Sequence, residues 1–162
     1  MKVELRERTE EHVRIYFEKT RDAAVCAMLP QAAATVEQAV EDYRRTRLPG
    51  AASYGRTIYV DGAYVGDIWC YCIDRRETPN AMLSYCLFEK ALWGRGITTL
   101  AVKRFLADTV PRYGLKTVGA FSYCANGASL RVLEKNGFAR VETFVEDGVE
   151  SAYYQKDTED ML

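Results

Sequence analysis

A glycine loop between a predicted strand and a predicted helix constrains this chain more than any other feature of its sequence. Residues 82–88 have the apolar composition of a strand, and residues 97–112 repeat apolar side chains with helical spacing. Gly94 and Gly96 lie in the loop between them. Another strand is predicted at residues 116–122, so the segment forms a β-α-β unit whose two strands run parallel.

The same loop has the composition of an anion site. The backbone N–H groups in the first turn of a helix have no helical acceptor, and the helix dipole is positive there. Gly94 and Gly96 let the backbone approach an anion closely and form a nest of donors. Thr99 replaces the third glycine of the dinucleotide fingerprint, and the Gly-Lys-Ser/Thr end of a mononucleotide P-loop is absent. Taken alone, the two glycines are equally typical of a tight turn.

A second motif follows the strand predicted at residues 116–122. Residues 126–138 begin with Asn126 and Ser129 and end in the sequence Leu-Glu-Lys-Asn-Gly-Phe. Together the two segments resemble the Gcn5-related N-acetyltransferase (GNAT) superfamily: residues 93–97 resemble its pyrophosphate loop, and residues 126–138 resemble its last-helix motif. The likeness is closest to the branch that includes the ribosomal-protein N-terminal acetyltransferases.

The resemblance implies one α/β (α+β) domain over residues 1–162, with the GNAT fold. We expect a mixed central sheet of about seven strands, helices on both faces, and splayed parallel strands in the middle. Strands are predicted at residues 3–6, 53–60, 64–73, 82–88, 116–122, 138–146 and 149–156. Helices are predicted at residues 10–19, 22–29, 36–46, 97–112 and 128–136. Pro30 should end the second helix, and residues 157–162 should be frayed.

The resemblance also implies acetyl-CoA as co-substrate and no metal. The backbone from Trp93 to Thr98 should hold the pyrophosphate, and the N–H groups at Leu87 or Phe88 should bind the pantetheine arm and the thioester oxygen. Asn126 and Ser129 should lie beside the cofactor, although both also suit the start of a helix. The expected cofactor-binding residues are Leu87, Phe88, Trp93, Gly94, Arg95, Gly96, Ile97, Thr98, Asn126 and Ser129.

The catalytic residues are less clearly marked, because three family positions differ. Leu133 replaces the tyrosine that often serves as the acid, Met82 replaces a frequent glutamate base, and Ala91 replaces a polar loop residue. We expect Ser129 to be the acid. Two residues on predicted strands, Tyr85 and Glu142, are candidates for the general base. Asp74 and a water relay are alternatives. The lone histidine, His12, is expected to have a surface role.

The implied reaction is direct attack by a primary amine, on a small molecule or a protein N-terminus, on acetyl-CoA. Two other interpretations remain open: a non-catalytic CoA-binding or regulatory domain, and a small α/β domain with no cofactor. Helices 10–19 and 35–46 should frame the groove of the acceptor. Glu37 and Glu41 lie on one helix face there and could attract a cationic amine.

Composition excludes some classes of partner. A net charge of −1 predicts no general affinity for nucleic acid or for anionic membranes. No apolar run approaches the roughly 20 residues that span a bilayer, and the first residues lack a signal-peptide core. The five scattered cysteines are expected to be buried free thiols of a cytoplasmic protein, with Cys70 and Cys72 on one face of a strand. A homodimer is compatible with the sequence.

Overall fold

The computed structural model describes residues 1–29 and 33–161. A seven-stranded mixed sheet has the order β1-β2-β3-β4-β5-β7-β6. The strands are β1 (Val3–Arg6), β2 (Tyr54–Val60), β3 (Ala63–Asp74), β4 (Asn80–Leu87), β5 (Thr117–Tyr123), β6 (Ala139–Glu146) and β7 (Val149–Asp157). The helices are α1 (Glu10–Lys19), α2 (Ala23–Cys26), α3 (Val36–Thr46), α4 (Ile97–Tyr113) and α5 (Gly127–Lys135), with short 3-10 turns at Lys90–Leu92 and Glu159–Met161. The predicted end of the second helix at Pro30 lies outside the described residues.

The central strands confirm the predicted splayed parallel pair. β4 and β5 are parallel and pair through Asn80 with Thr117, Ala81 with Val118, and Met82 with Gly119. Beyond Met82 and Gly119 the pairing stops, although both strands continue for several residues. We call the space between the two strands beyond this last pair the strand gap.

Helices cover both faces of the sheet, as predicted. On one face, Leu83 of β4 joins the main core with Phe105 of α4 and Leu133 of α5. On the other face, Tyr16 of α1 packs edge-on against Trp69 of β3, with ring centroids 6.3 Å apart. Successive residues of β4 point to opposite faces, so each side of the strand gap has its own set of side chains.

Short local signals set most element boundaries. Thr9, Thr35 and Asp22 each accept a hydrogen bond from the first turn of the helix that follows, which is the role of an N-cap. The Asp61-Gly62 and Asp147-Gly148 turns have positive φ at both positions, which suits the tight turn of a twisted hairpin.

The cysteines are not uniformly buried. Cys70 is fully buried, whereas Cys72 is exposed with a φ of 51°. The pairing register of β3 and β4 shifts between Tyr71 and Asp74, and this irregularity breaks the alternation that would place Cys72 on the same face as Cys70. Cys26 is exposed as well, so the prediction of five buried thiols is wrong.

The C-terminal tail is docked rather than frayed. Thr158 is fully buried, and its hydroxyl donates to the carbonyl oxygen of Leu115 at 2.6 Å. Its backbone N–H donates to the carbonyl of Lys116 at 3.0 Å. The prediction of a frayed tail is therefore wrong through residue 161. The sequence gives little warning, because the docking depends mainly on one polar residue, Thr158, with Met161 packed against the core beside it.

We predict that Thr158→Val lowers the free energy of unfolding by about 1–3 kcal/mol, since it leaves a buried carbonyl without its donor while keeping the side-chain shape. Thr158→Ser is the matched control, because it keeps the hydroxyl and loses one methyl group. Urea denaturation of both variants measures the difference. A Thr158→Val protein as stable as the parent would show that the Thr158 hydroxyl contributes nothing to stability.

Candidate active site

The glycine loop has the backbone conformation that its composition predicts. Gly94 and Gly96 have φ values of 77° and 78°, in the left-handed region. A Cβ on either residue would meet no atom within 4 Å. The glycines therefore supply backbone conformation, and the space beside them is open to a ligand.

The loop presents a row of unpaired N–H groups at the start of α4. The first helical hydrogen bond runs from the Leu100 N–H to the Gly96 carbonyl, at 3.2 Å. In the described part of the chain, the amides of residues 94–99 meet no acceptor. Gly96 occupies the N-cap position and offers no side chain to satisfy them. Free donors at the positive end of a long helix are suited to binding a phosphate group.

Two side chains attach the loop to the sheet. Ile97 is 2% exposed and packs in the main core. The indole nitrogen of Trp93 donates to the carbonyl of Leu87, at 2.7 Å. The backbone N–H of Trp93 already donates to the Lys90 carbonyl in the 3-10 turn, so it is not free for the phosphate contact that we expected. Trp93 instead anchors the loop to the sheet. Arg95 is exposed and lies in the loop itself.

The backbone of β4 offers a narrower set of donors than expected. The Phe88 N–H donates to the carbonyl of Val65 at 3.0 Å, and the Phe88 ring packs with Val25. Phe88 is therefore unavailable to a cofactor in the gap. Hydrogen bonding alternates along an antiparallel pair, so the N–H groups of Tyr85 and Leu87 turn away from β3 and toward the strand gap.

The structure brings two predicted catalytic residues together. The hydroxyl of Tyr85 on β4 lies 3.0 Å from the hydroxyl of Ser129 on α5 and also donates to the Ser129 carbonyl, at 3.1 Å. Asn126 acts as the N-cap of α5, and its side-chain oxygen accepts from the Ser129 N–H at 3.2 Å. The Tyr85–Ser129 contacts connect α5 to β4 beside the strand gap.

The environment of Tyr85 keeps its hydroxyl protonated. Burial raises the pKa of the Tyr85 hydroxyl to about 12, and the hydrogen bond with Ser129 opposes that rise only in part. Tyr85 is therefore protonated at neutral pH, so it does not suit the role of base for which we considered it. It can instead supply a proton through Ser129.

The other polar candidates lie away from this pair. Glu142 is exposed on the edge strand β6, two strand spacings or about 10 Å from β5. Asp74 is bound to Arg76, with a 3.0 Å ion pair at the surface. His12 has a structural role and not the expected surface role, because its ring accepts from the Thr9 N–H and lies 2.6 Å from the Tyr59 hydroxyl. Partial burial and the nearby Arg8 lower the pKa of His12.

Sequence reasoning missed Tyr153, which reaches the end of the strand pairing. A Cβ on Gly119 would lie 2.6 Å from the Tyr153 hydroxyl and 2.9 Å from the sulfur of Met82. Gly119 is thus the residue that leaves room for this tyrosine. In the sequence, Tyr153 resembles any other aromatic residue of a strand, and no spacing connects it with residue 119.

Some further features are absent from the described residues. Within residues 1–29 and 33–161, no group of three His, Cys, Asp or Glu side chains could hold a metal ion. None of the helices described is both long enough and apolar enough to cross a membrane.

The unpaired amides of residues 94–99 and the strand gap lie in one α/β domain, and their geometry suits a phosphate-bearing ligand. The family model described as an acetyltransferase (GNAT) domain matches residues 2–139, and the chain belongs to this family. No curated protein matches the sequence.

Solved structures share the whole fold at low identity. Aminoglycoside acetyltransferase AAC(6')-Ib, solved with paromomycin and acetyl-CoA, matches with a TM-score of 0.82, 17% identity, and coverage of 99% of this chain and 96% of that chain. A chimera of the spermidine N-acetyltransferase SpeG from Vibrio cholerae and hSSAT gives a TM-score of 0.83, 14% identity, and coverage of 99% and 98%. These neighbours confirm the fold, and they do not single out the ribosomal-protein branch.

We predict that Gly96→Val abolishes acetyl-CoA binding, because the new side chain projects into the open space beside the free amides. Gly50→Val is the matched control: Gly50 has a φ of 77° and, like Gly96, would place a Cβ with no atom within 4 Å of it. Both variants should lose about 1–3 kcal/mol of stability to backbone strain. Calorimetric titration with acetyl-CoA separates them, and a Gly96→Val protein with parental affinity would contradict the phosphate role of the loop.

Proposed function

We propose that this protein transfers an acetyl group from acetyl-CoA to a primary amine by direct attack. The observation that carries the proposal is the row of free amides at residues 94–99, placed where the strand gap opens. Family membership supports the same reaction. The acceptors in the neighbouring structures, aminoglycosides and spermidine, are amines, which supports an amine acceptor here.

Cofactor binding is assigned mainly to the backbone. The amides of residues 94–99 would hold the pyrophosphate, and the gap-facing N–H groups of Tyr85 and Leu87 would pair with the pantetheine arm. One of these N–H groups would also stabilise the negative oxygen that develops when the thioester is attacked. The side-chain oxygen of Asn126 is occupied by the Ser129 N–H, so its amide nitrogen is the group that it can offer to a ligand.

The chemical step needs a proton for the departing thiolate. The neutral amine attacks the thioester carbon, the tetrahedral intermediate collapses, and the carbon–sulfur bond breaks. We assign the proton on the thiolate to the Ser129 hydroxyl, which Tyr85 can reprotonate across their 3.0 Å contact. The amine loses its proton to water, and a water chain to Glu142 would accept it, since that carboxylate is too distant for direct contact.

A second candidate function is a CoA-binding domain without catalysis. Leu133 favours it, because this side chain is fully buried in the core and presents no polar group at the family's usual acid position. Met82 likewise offers no carboxylate. The two functions differ in turnover and agree on cofactor binding.

Three further assignments, of the acceptor, the cellular location and the oligomeric state, extend the same proposal. The resemblance to the ribosomal-protein branch would make a protein N-terminus the acceptor. Free thiols throughout the described residues are consistent with a cytoplasmic location. A homodimer is a further expectation.

We predict that acetyl-CoA stabilises the folded protein by about 2.7 kcal/mol at a hundredfold excess over its Kd, because it binds only the folded state. A thermal-shift titration with acetyl-CoA measures this, and acetate is the control ligand. The absence of any shift at millimolar acetyl-CoA would contradict the cofactor assignment. A shift without acetylation of any amine would support the non-catalytic alternative.

We predict that Ser129→Ala lowers turnover by roughly ten- to a thousandfold, the range of one general acid, and leaves the acetyl-CoA Kd nearly unchanged. Tyr85→Phe should lower turnover in the same direction if it feeds the proton to Ser129. Tyr59→Phe is the matched control, because it removes another partly buried hydroxyl, one that bonds to His12. Turnover within a few-fold of the parent in Ser129→Ala would rule out the acid role.

A further inference from the structure

Three aromatic side chains form a partly exposed cluster on the face of the sheet opposite α4 and α5. The ring centroid of Phe121 on β5 lies 5.2 Å from that of Tyr153 on β7 and 5.8 Å from that of Phe144 on β6. We call these residues the aromatic cluster. Phe121 is 54% exposed, which is high for a phenylalanine at the middle of a sheet.

The aromatic cluster is continuous with the point where β4 and β5 separate. Phe121 is the second residue of β5 after Gly119, which makes the last pair with Met82. The Tyr153 hydroxyl lies over Gly119 and close to the Met82 sulfur. A side chain at residue 119 would close this connection. The cluster therefore extends from the surface to the inner end of the strand gap.

The two faces of the gap carry different chemistry. Tyr85 and Ser129 lie on the face of α5, and the aromatic cluster lies on the opposite face, because neighbouring residues along a strand alternate. A thioester held in the gap would thus have its proton donor on one side and the aromatic cluster on the other. The cluster side is the side from which an amine can approach.

The carboxylates on this face of the sheet are either already paired or distant from the strand gap. Glu142 pairs in register with Tyr153 and is exposed. Asp67, further along the same face, is already bound to Arg8 at 2.9 Å and accepts from Tyr64 at 2.7 Å. Glu142 and Glu146 are exposed on β6, the edge strand, so the aromatic cluster separates both carboxylates from the strand gap. A ligand held between the cluster and the gap therefore meets aromatic rings, which suit one ring better than several cations.

Resting on the proposed function, we propose that the acceptor is an arylalkylamine whose ring stacks on Phe121, Phe144 and Tyr153 and whose amine nitrogen extends toward the strand gap. Ring stacking and the attraction of a cation to an aromatic face both favour this ligand over an aliphatic polycation. The reaction would join the acetyl group to the amine nitrogen and release CoA as the thiol.

The binding test uses protein saturated with CoA and calorimetric titration with three probes. Phenethylamine should bind more tightly than spermidine, and 2-phenylethanol should report the ring contribution alone. Phe121→Ala should weaken phenethylamine about tenfold. Val145→Ala is the matched control, because Val145 is 69% exposed and is the next residue after Phe144 on β6, so it points to the other face. Phe121→Ala should also weaken 2-phenylethanol, because the two probes share the same ring.

Tighter binding of spermidine than of phenethylamine, or equal affinity of the parent and Phe121→Ala for phenethylamine, would overturn the inference. Unchanged CoA affinity in each variant shows that it is folded. A separate turnover assay distinguishes a failure of the binding inference from a failure of the proposed function. Bound phenethylamine that is never acetylated would contradict the proposed function and leave the binding inference standing. Acetylation of spermidine at a rate that Phe121→Ala leaves unchanged would support the proposed function and contradict the binding inference.

Discussion

The early end of the pairing between β4 and β5 is the constraint on which the rest of this structure depends. A sheet normally satisfies the N–H and C=O groups of its inner strands with neighbouring strands, because unpaired buried groups are costly. Here the two parallel strands separate after Met82 and Gly119, and the backbone of Tyr85 and Leu87 faces a gap. An extended ligand with its own amide groups can restore the missing hydrogen bonds, as the pantetheine arm of CoA would.

The chain around the gap is arranged to keep it open and to give each side a function. α4 provides the crossover that parallel strands require, and its first turn leaves the amides of residues 94–99 free where β4 ends. Trp93 fixes that loop to the carbonyl of Leu87. The Tyr85–Ser129 contact closes one face of the gap, and Tyr153 reaches its inner end from the other.

The features that were predictable from sequence are those specified by neighbouring residues. The glycine loop, the Asp-Gly hairpins and the threonine caps each depend on a few adjacent positions, and all have the expected form. Most element boundaries agree within two or three residues for the same reason.

The features that could not be predicted depend on contacts between distant residues. The Phe88 N–H is engaged by Val65, and only the pairing register of β3 with β4 reveals it. The loss of Tyr85 as a candidate base follows from the burial of its hydroxyl against α5. The docking of Thr158 onto Leu115 spans more than forty residues of sequence, and the space that Gly119 leaves for Tyr153 is another such contact.

Amide hydrogen exchange with and without acetyl-CoA tests the central claim most directly. We predict that acetyl-CoA slows exchange at the amides of residues 94–99 and at Tyr85 and Leu87, because the ligand becomes their acceptor. The Phe88 amide, already bonded to Val65, should change little beyond the general stabilisation of the fold. Unchanged exchange at residues 94–99 and at Tyr85 and Leu87 under saturating acetyl-CoA would contradict the claim that the strand gap and its loop are the cofactor site.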